Sequence, residues 1–311
     1  MKVFVTGGTG VVGHPTVAAL VATGHEVRAV CRRDDAAAAL REQGAQPVTV
    51  DLFDASAVKA ATAGSEAILH LATSIPPVSK AARRSSWATN NRLRTETTRH
   101  LGAAARAHGV SRFVKESITF MYADAGDRWI DEDAPLLADL ALLGATREGE
   151  EAALGLTADG CAATVLRFGL FYGAAGNRGT DEMLRLARLR RSTIAGSPAA
   201  YMSSIHVVDA AQAVVAALET APGLYNVCDD EPMTRGDYLD AFARAFARPK
   251  LRPIPGRVLR LAGGKSLAAL VASQRCSNRR FREASGWAPR HPSAREGWSA
   301  EAAAREEAGD A

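Results

Sequence analysis

The sequence predicts an α/β fold, a doubly wound parallel sheet of the Rossmann kind with a smaller C-terminal lobe. Three observations carry this. A strand, a glycine-rich turn and a helix open the chain. Apolar runs of strand length then alternate with helical segments. Finally, 311 residues that are 47% hydrophobic suffice for one large core and an added lobe.

The opening unit is "KVFVTGGTGVVGHPTVAALVATGHEVRAVCRR". "KVFV" is a short apolar strand. Val17, Leu20 and Val21 follow at helical spacing, with Pro15 tolerated in the first turn and Gly24 as the C-cap. "EVRAVC" is the second strand. Gly7, Gly10 and Gly13 form GxxGxxG at the strand-to-helix turn. Glycine there lets the backbone approach a pyrophosphate, and the helix N-terminus offers N–H groups to it. Thr9, Val11 and Val12 complete this candidate cofactor loop.

A carboxylate at the end of the second strand would favour NAD(H). The chain has Cys31, Arg32 and Arg33 there. Guanidinium groups suit a 2′-phosphate, so NADP(H) is expected over NAD(H). The alternative is that these arginines face water beside Asp34 and Asp35.

"AQPVTVDLFD" reads as a third strand and "EAILHLAT" (66–73) as a fourth. A long helix, "SWATNNRLRTETTRHLGAAARAHGV", ends at Gly109. "SRFVKES" is the fifth strand and "AATVLRFGLFYG" the sixth. Strand and helix alternate again through "SSIHVVDAAQAVVAALE" and "GLYNVCDDEPMTRGDYLDAFARAFA". Such alternation means a parallel sheet covered on both faces, with ligands beyond the carboxyl ends of its strands. The expected division is 1–165 for the dinucleotide-binding part, 166–300 for a segment completing the sheet and forming the substrate lobe, and 301–311 for a tail.

Composition narrows the class. With 38 basic and 34 acidic residues the net charge of +4 is small and scattered, which argues against nucleic acid as a partner. Cys31, Cys161, Cys228 and Cys276 have no metal-ligand spacing and read as reduced thiols. No leader is read ahead of the first strand and no apolar run is long enough for a bilayer. The expectation is a cytoplasmic protein with a small-molecule substrate, no metal and no membrane partner.

The chain resembles the extended short-chain dehydrogenase/reductases, the epimerase/dehydratase group. The markers are "TGGTGVVG", "DLFD" (51–54), "HLAT" (70–73), "NRLRT" (91–95), "VLRFGLFYG" (165–173), "IHVVDAAQAV" (205–214) and "GLYNVCDDEPMT" (223–234). The resemblance implies that Asp51 and Leu52 contact adenine. It implies that Leu71, Ala72 and Thr73 line the cofactor and that the Phe168–Leu170 backbone borders the nicotinamide. It places Ser74, Ile118, Thr119, Leu143 and Tyr201 beside the substrate. It also implies a homodimer through the helices near 87–108 and 142–156.

The catalytic set departs from the family. A Ser or Thr is expected four residues before Tyr122, and Ile118 stands there. Of the expected Tyr-x-x-x-Lys on the next helix, Leu143 replaces Tyr and Arg147 replaces Lys. Leucine cannot transfer a proton. Arg147 can hold a ribose or phosphate but stays charged, so it is a poor acid or base. The scaffold persists while the usual proton relay does not.

Candidate replacements are Glu116, Tyr122 and Ser117. Lys115 and Glu116 are unusual on a central parallel strand. Glu116 is either a general acid/base or a charge paired with Lys115, Arg112 or a loop arginine. His70 reads as a core histidine, and His206 with Asp209 as scaffold. Three functions compete: an atypical NADP(H)-dependent oxidoreductase for a hydrophobic substrate, a non-redox cyclase, isomerase or lyase, and a non-enzymatic NADP(H) sensor.

Overall fold

The computed structural model describes residues 1–76, 80, 83–137, 143–174, 176–257 and 269–309. Seven parallel strands form the sheet. From edge to edge they are Gly223–Val227, Ala162–Phe168, Arg112–Ile118, Ala67–His70, Lys2–Thr6, Glu26–Val30 and Gln46–Val48. The first strand is thus central and the order reverses beside it, which opens the crevice where dinucleotides bind in such sheets.

Alternation along the strands builds two cores. Val3 and Val5 join Val17, Leu20, Leu69, Val114 and Val214 on one face. Phe4 joins Ile68, Leu101, Phe113, Ala153 and Val165 on the other. This is the period of two that puts neighbouring side chains on opposite faces. Phe113 is fully buried, and truncating it to Ala would cost about 3–5 kcal/mol.

The expected sixth strand is interrupted. Ala162–Phe168 stays in the sheet, while Leu170–Tyr172 pairs with Ser204–His206. Gly169 is the hinge: a Cβ there would lie 2.9 Å from the Ser203 backbone. The long helix is also composite, with a π-helical turn at Leu93–Thr97 between α-helices Ala88–Arg92 and Thr98–His108. The His70 Nε2 donates to the carbonyl of Leu93, the first residue of that turn, at 2.9 Å.

The C-terminal lobe has its own core of Tyr172, Met183, Tyr238, Phe242 and Trp298. Trp298 lies on a helix, Ala294–Ala308, that packs against helix Arg235–Ala245. Two small ribbons connect lobe and sheet: Tyr201–Met202 with Met233–Thr234, and Trp129–Ile130 with Arg275–Cys276. Among the described residues, no helix is long and apolar enough to cross a membrane.

Candidate active site

The glycine loop has the close packing that its sequence calls for. Gly7 has φ +75°, and a Cβ there would lie 2.6 Å from the Ala72 nitrogen. A Cβ on Gly13 would lie 1.9 Å from the Gly7 carbonyl oxygen. Gly10 N–H donates to that same oxygen at 2.9 Å. The helix Gly13–Ala22 begins at Val12 with no side-chain cap. Thr9, Gly10 and Val11 are exposed around that open end. The loop therefore offers backbone donors without a Cβ in the way, which fits a pyrophosphate.

Beyond the second strand, Arg32 and Arg33 are both exposed. Arg33 is clamped to Asp35 through two bonds of 3.0 Å. Asp51 accepts the Phe53 N–H at 2.9 Å, and the half-buried Leu52 receives Thr97 Oγ1 on its carbonyl. Leu71 is buried, Ala72 partly buried, and Thr73 and Ser74 exposed after the fourth strand. Ser74 N–H is held by Asn90 Oδ1 at 3.1 Å. Glycine loop, Arg32, Asp51 and Leu71–Thr73 all follow carboxyl ends of sheet strands, and together they fit a dinucleotide.

Ile118 ends the fifth strand half-buried, and Thr119 behind it is buried. Leu143 heads the helix Gly144–Leu154 and is 8% exposed. Arg147 is turned to Glu151 at 2.9 Å and lines a recess with Leu136, Glu150, Arg167 and Leu224. Phe168 is buried against Phe171, with ring centroids 5.2 Å apart. Tyr201 is partly buried at the lobe ribbon.

The candidate proton donors enter a closed polar network. Ser117 Oγ donates to Glu150 Oε1 at 2.5 Å. Arg167 donates to both Glu150 oxygens, at 2.9 and 2.6 Å, and to the Tyr122 hydroxyl at 2.9 Å. Tyr122 in turn donates its proton to Asn226 Oδ1 at 2.8 Å. Burial pushes the Tyr122 phenol well above its ordinary value, although Arg167 pulls the other way. Glu116 pairs with Arg94 at 3.2 Å, both buried. So Tyr122, Ser117 and Glu116 are each committed to protein partners.

Lys115 is 1% exposed beside this network. Burial, then the Arg94 charge, pushes its amine down to about 7, against the pull of Glu116 and Glu150. His70 is a satisfied core histidine: Thr6 Oγ1 lies 2.8 Å from Nδ1 and the Leu93 carbonyl 2.9 Å from Nε2. His206, Asp209 and His291 cluster, but the Asp209 oxygens already accept Arg290 N–H, His291 N–H and His291 Nδ1. That arrangement fixes loop to helix.

Sequence reading missed Arg94, Glu150, Arg167 and Asn226 as network members. The signal was available. Arg167 interrupts an otherwise apolar strand, and Arg94 falls on the inward face of its helix.

Comparison with known proteins bears on the family and the fold. Residues 3–228 match the model of the NAD dependent epimerase/dehydratase family. The chain is similar to a 3-diazoavenalumate denitrifying reductase from a Streptomyces species, 37% identical over 96% of this chain and 99% of that protein. It is also similar to a 4-hydroxy-2-methyl-3-oxo-4-farnesyl-3,4-dihydroquinoline-1-oxide ketoreductase of Stigmatella aurantiaca, 29% identical over 88% of this chain and 83% of the other. Among solved structures, human epimerase family protein SDR39U1 with NADPH superposes with a TM-score of 0.81. It is 25% identical and covers 97% of this chain and 99% of its own.

Proposed function

The chain belongs to the NAD dependent epimerase/dehydratase family, and from that premise we propose that it is an NADP(H)-dependent reductase that replaces the diazonium group of an aromatic substrate by hydrogen. The observation that carries this reading is the state of the proton relay. Leu143 and Ile118 cannot donate a proton, and the protons of Tyr122 and Ser117 already go to Asn226 and Glu150. A reaction that needs hydride alone suits such a site.

Reductive loss of nitrogen is that kind of reaction. The C–N bond breaks with both electrons leaving on N2, a hydride forms the new C–H bond, and no proton moves to a substrate oxygen. The name of the similar Streptomyces protein states a reductive removal of nitrogen from a diazo compound. When bound, the reduced nicotinamide supplies the hydride.

The chain's own residues bind and exclude water. The Gly7–Gly13 loop holds the pyrophosphate and Arg32 the 2′-phosphate. Leu71, Ala72 and Thr73 line the cofactor. Ile118 and Leu143 keep water from an electron-poor carbon that would otherwise take up hydroxide, so apolar lining protects the reaction. Arg147 is kept in this reading as a candidate ribose contact, reached by leaving Glu151. A homodimer through the helices Thr98–His108 and Gly144–Leu154 belongs to the proposal, and light scattering tests it.

The direct experiment supplies an aromatic diazonium acid with NADPH carrying deuterium at the transferable position. Deuterium on the ring carbon, with one N2 released per NADPH oxidised, supports the reading. Solvent hydrogen at that carbon, or consumption of NADPH only with ketones, would falsify it.

A further inference from the structure

In the C-terminal lobe, one surface turn concentrates positive charge that the site described above does not use. The helix Arg178–Ala187 continues into Arg188, Leu189, Arg190 and Arg191. All of these, and Arg185 on the last turn of the helix, are exposed. Among the described residues none of these arginines has an ion pair or a hydrogen-bonded side-chain partner. The carboxylates of the helix do not offset them. Asp181 is bound by Arg305 at 2.9 Å, and Glu182 stands about one turn before Arg185 without pairing to it.

The backbone of this turn is strained. Arg191 N–H donates to the Leu186 carbonyl at 3.0 Å, and Arg190 N–H to the Ala187 carbonyl at 2.9 Å. This pair of bonds closes a helix around a left-handed residue, which is commonly glycine. Arg190 takes that place with φ +55°, so the fold carries a Cβ where none is favoured. Leu189 beside it is 63% exposed. A lone exposed leucine is ordinary, and cations in a last helical turn offset the helix dipole. Neither accounts for an arginine at the glycine position, nor for arginines on both sides of that leucine.

We propose that this turn docks on an anionic phospholipid bilayer, with Leu189 entering the headgroup layer and Arg185, Arg188, Arg190 and Arg191 on lipid phosphates. Charge complementarity sets the sign of the partner. Apolar area selects a bilayer over an acidic protein. A stable protein interface needs about 800 Å² per partner with an apolar centre. Among the described residues, Leu189 is the one large hydrophobic exposed on this helix and turn. A bilayer needs no shaped counterpart. Each arginine near an anionic surface adds about a fivefold gain in binding, and an inserted apolar side chain adds to it. The contact is reversible and lies on the membrane surface, with no spanning helix. It replaces the expectation of no membrane partner, and it stands independently of the function proposed above.

Cosedimentation of the full chain with vesicles tests this. At low ionic strength the wild type should pellet with vesicles of equal parts phosphatidylglycerol and phosphatidylcholine, and stay in solution with phosphatidylcholine alone. Added salt should release it, because exposed charges are screened. Arg190→Gln with Arg191→Gln should weaken partitioning about 25-fold, at about fivefold per charge. Arg41→Gln with Arg128→Gln removes the same charge from exposed positions elsewhere and should leave most of the binding. Leu189→Ser should also weaken partitioning, which a purely electrostatic contact would not show. Failure to pellet with the anionic vesicles overturns the proposal and leaves these arginines to an acidic protein. Equal weakening by the two double variants overturns it as well, because net charge alone would then explain the binding.

Discussion

Arg33 and Asp35 face each other across two parallel bonds of 3.0 Å, Nε to Oδ1 and Nη2 to Oδ2. Both side chains are about 70% exposed, at 70% and 71%. Such a surface pair is worth only about 0–1 kcal/mol, yet it turns Arg33 away from any incoming phosphate. Among the described residues, Arg32 has no such tether. The two arginines, equal in the sequence, are therefore unequal in the structure.

Cofactor titration by nicotinamide fluorescence checks the consequence. Arg32→Ala should weaken NADPH roughly 10- to 100-fold, the worth of one charge-assisted phosphate contact, and leave NADH nearly unchanged. Arg33→Ala should cost less. Asp35→Asn should tighten NADPH by releasing Arg33. Wild-type preference for NADH would remove the basis of all three expectations.

Tyr122→Phe separates a structural tyrosine from a proton donor. The variant leaves Arg167 Nη1 and Asn226 Oδ1 without their shared hydroxyl in a buried site. Stability should fall by about 1–3 kcal/mol. Turnover on a diazonium substrate should hold within a few-fold. A fall of roughly 10²–10⁴ with folding intact would instead make Tyr122 the acid.

The fold was legible because its signals are local. "KVFV", the glycine turn and the C-cap at Gly24 each settle a few residues, and the alternation of Val3, Phe4 and Val5 assigns the two cores. The tight strand-to-helix turn was legible too, since steric need at Gly7 and Gly13 reads directly as glycine. The polar network was not legible as a network. Its members Ser117 with Tyr122, Glu150, Arg167 and Asn226 come from four separate segments, and only tertiary packing decides which partner each takes. Glu116 illustrates this. Reading placed its partner among Lys115, Arg112 or a loop arginine, whereas the structure supplies Arg94 from the helix across the sheet. The break at Gly169 was hidden for a related reason, because its cause is the Ser203 backbone far along the chain.

Lys115 makes stability depend on pH in a defined direction. Its folded-state value of about 7 lies below the ordinary 10.5. Between these values the unfolded chain carries a proton that the folded chain lacks, so stability rises with pH across that window. Below about 7 the full desolvation cost is present. Lys115→Met should therefore be the more stable protein near neutral pH, by about 1–4 kcal/mol. Its advantage should shrink toward pH 10.5. Urea unfolding at several pH values across the window measures this. An advantage independent of pH would mean that Lys115 stays charged in the fold.

Rebuilding the family relay asks whether only the proton path was lost. Leu143 sits buried at the head of its helix, one turn before Arg147. Tyrosine at 143 restores a hydroxyl at the family position. Lysine at 147 replaces a guanidinium that now rests on Glu151. The Leu143→Tyr, Arg147→Lys double variant should gain NADPH-dependent reduction of an aromatic keto acid, because carbonyl reduction needs a proton on oxygen. A well-placed acid contributes roughly 10²–10⁴, and the gain should approach that range only when Ile118→Ser adds the missing hydrogen bond. Diazonium reduction should fall in the same variants, since each new hydroxyl brings polarity to an apolar pocket. The two activities should thus move in opposite directions. If both stay flat, the reacting carbon does not lie beside Leu143 and Ile118. If both rise together, proton supply limits the diazonium reaction as well, and the hydride-only chemistry proposed for this site is wrong.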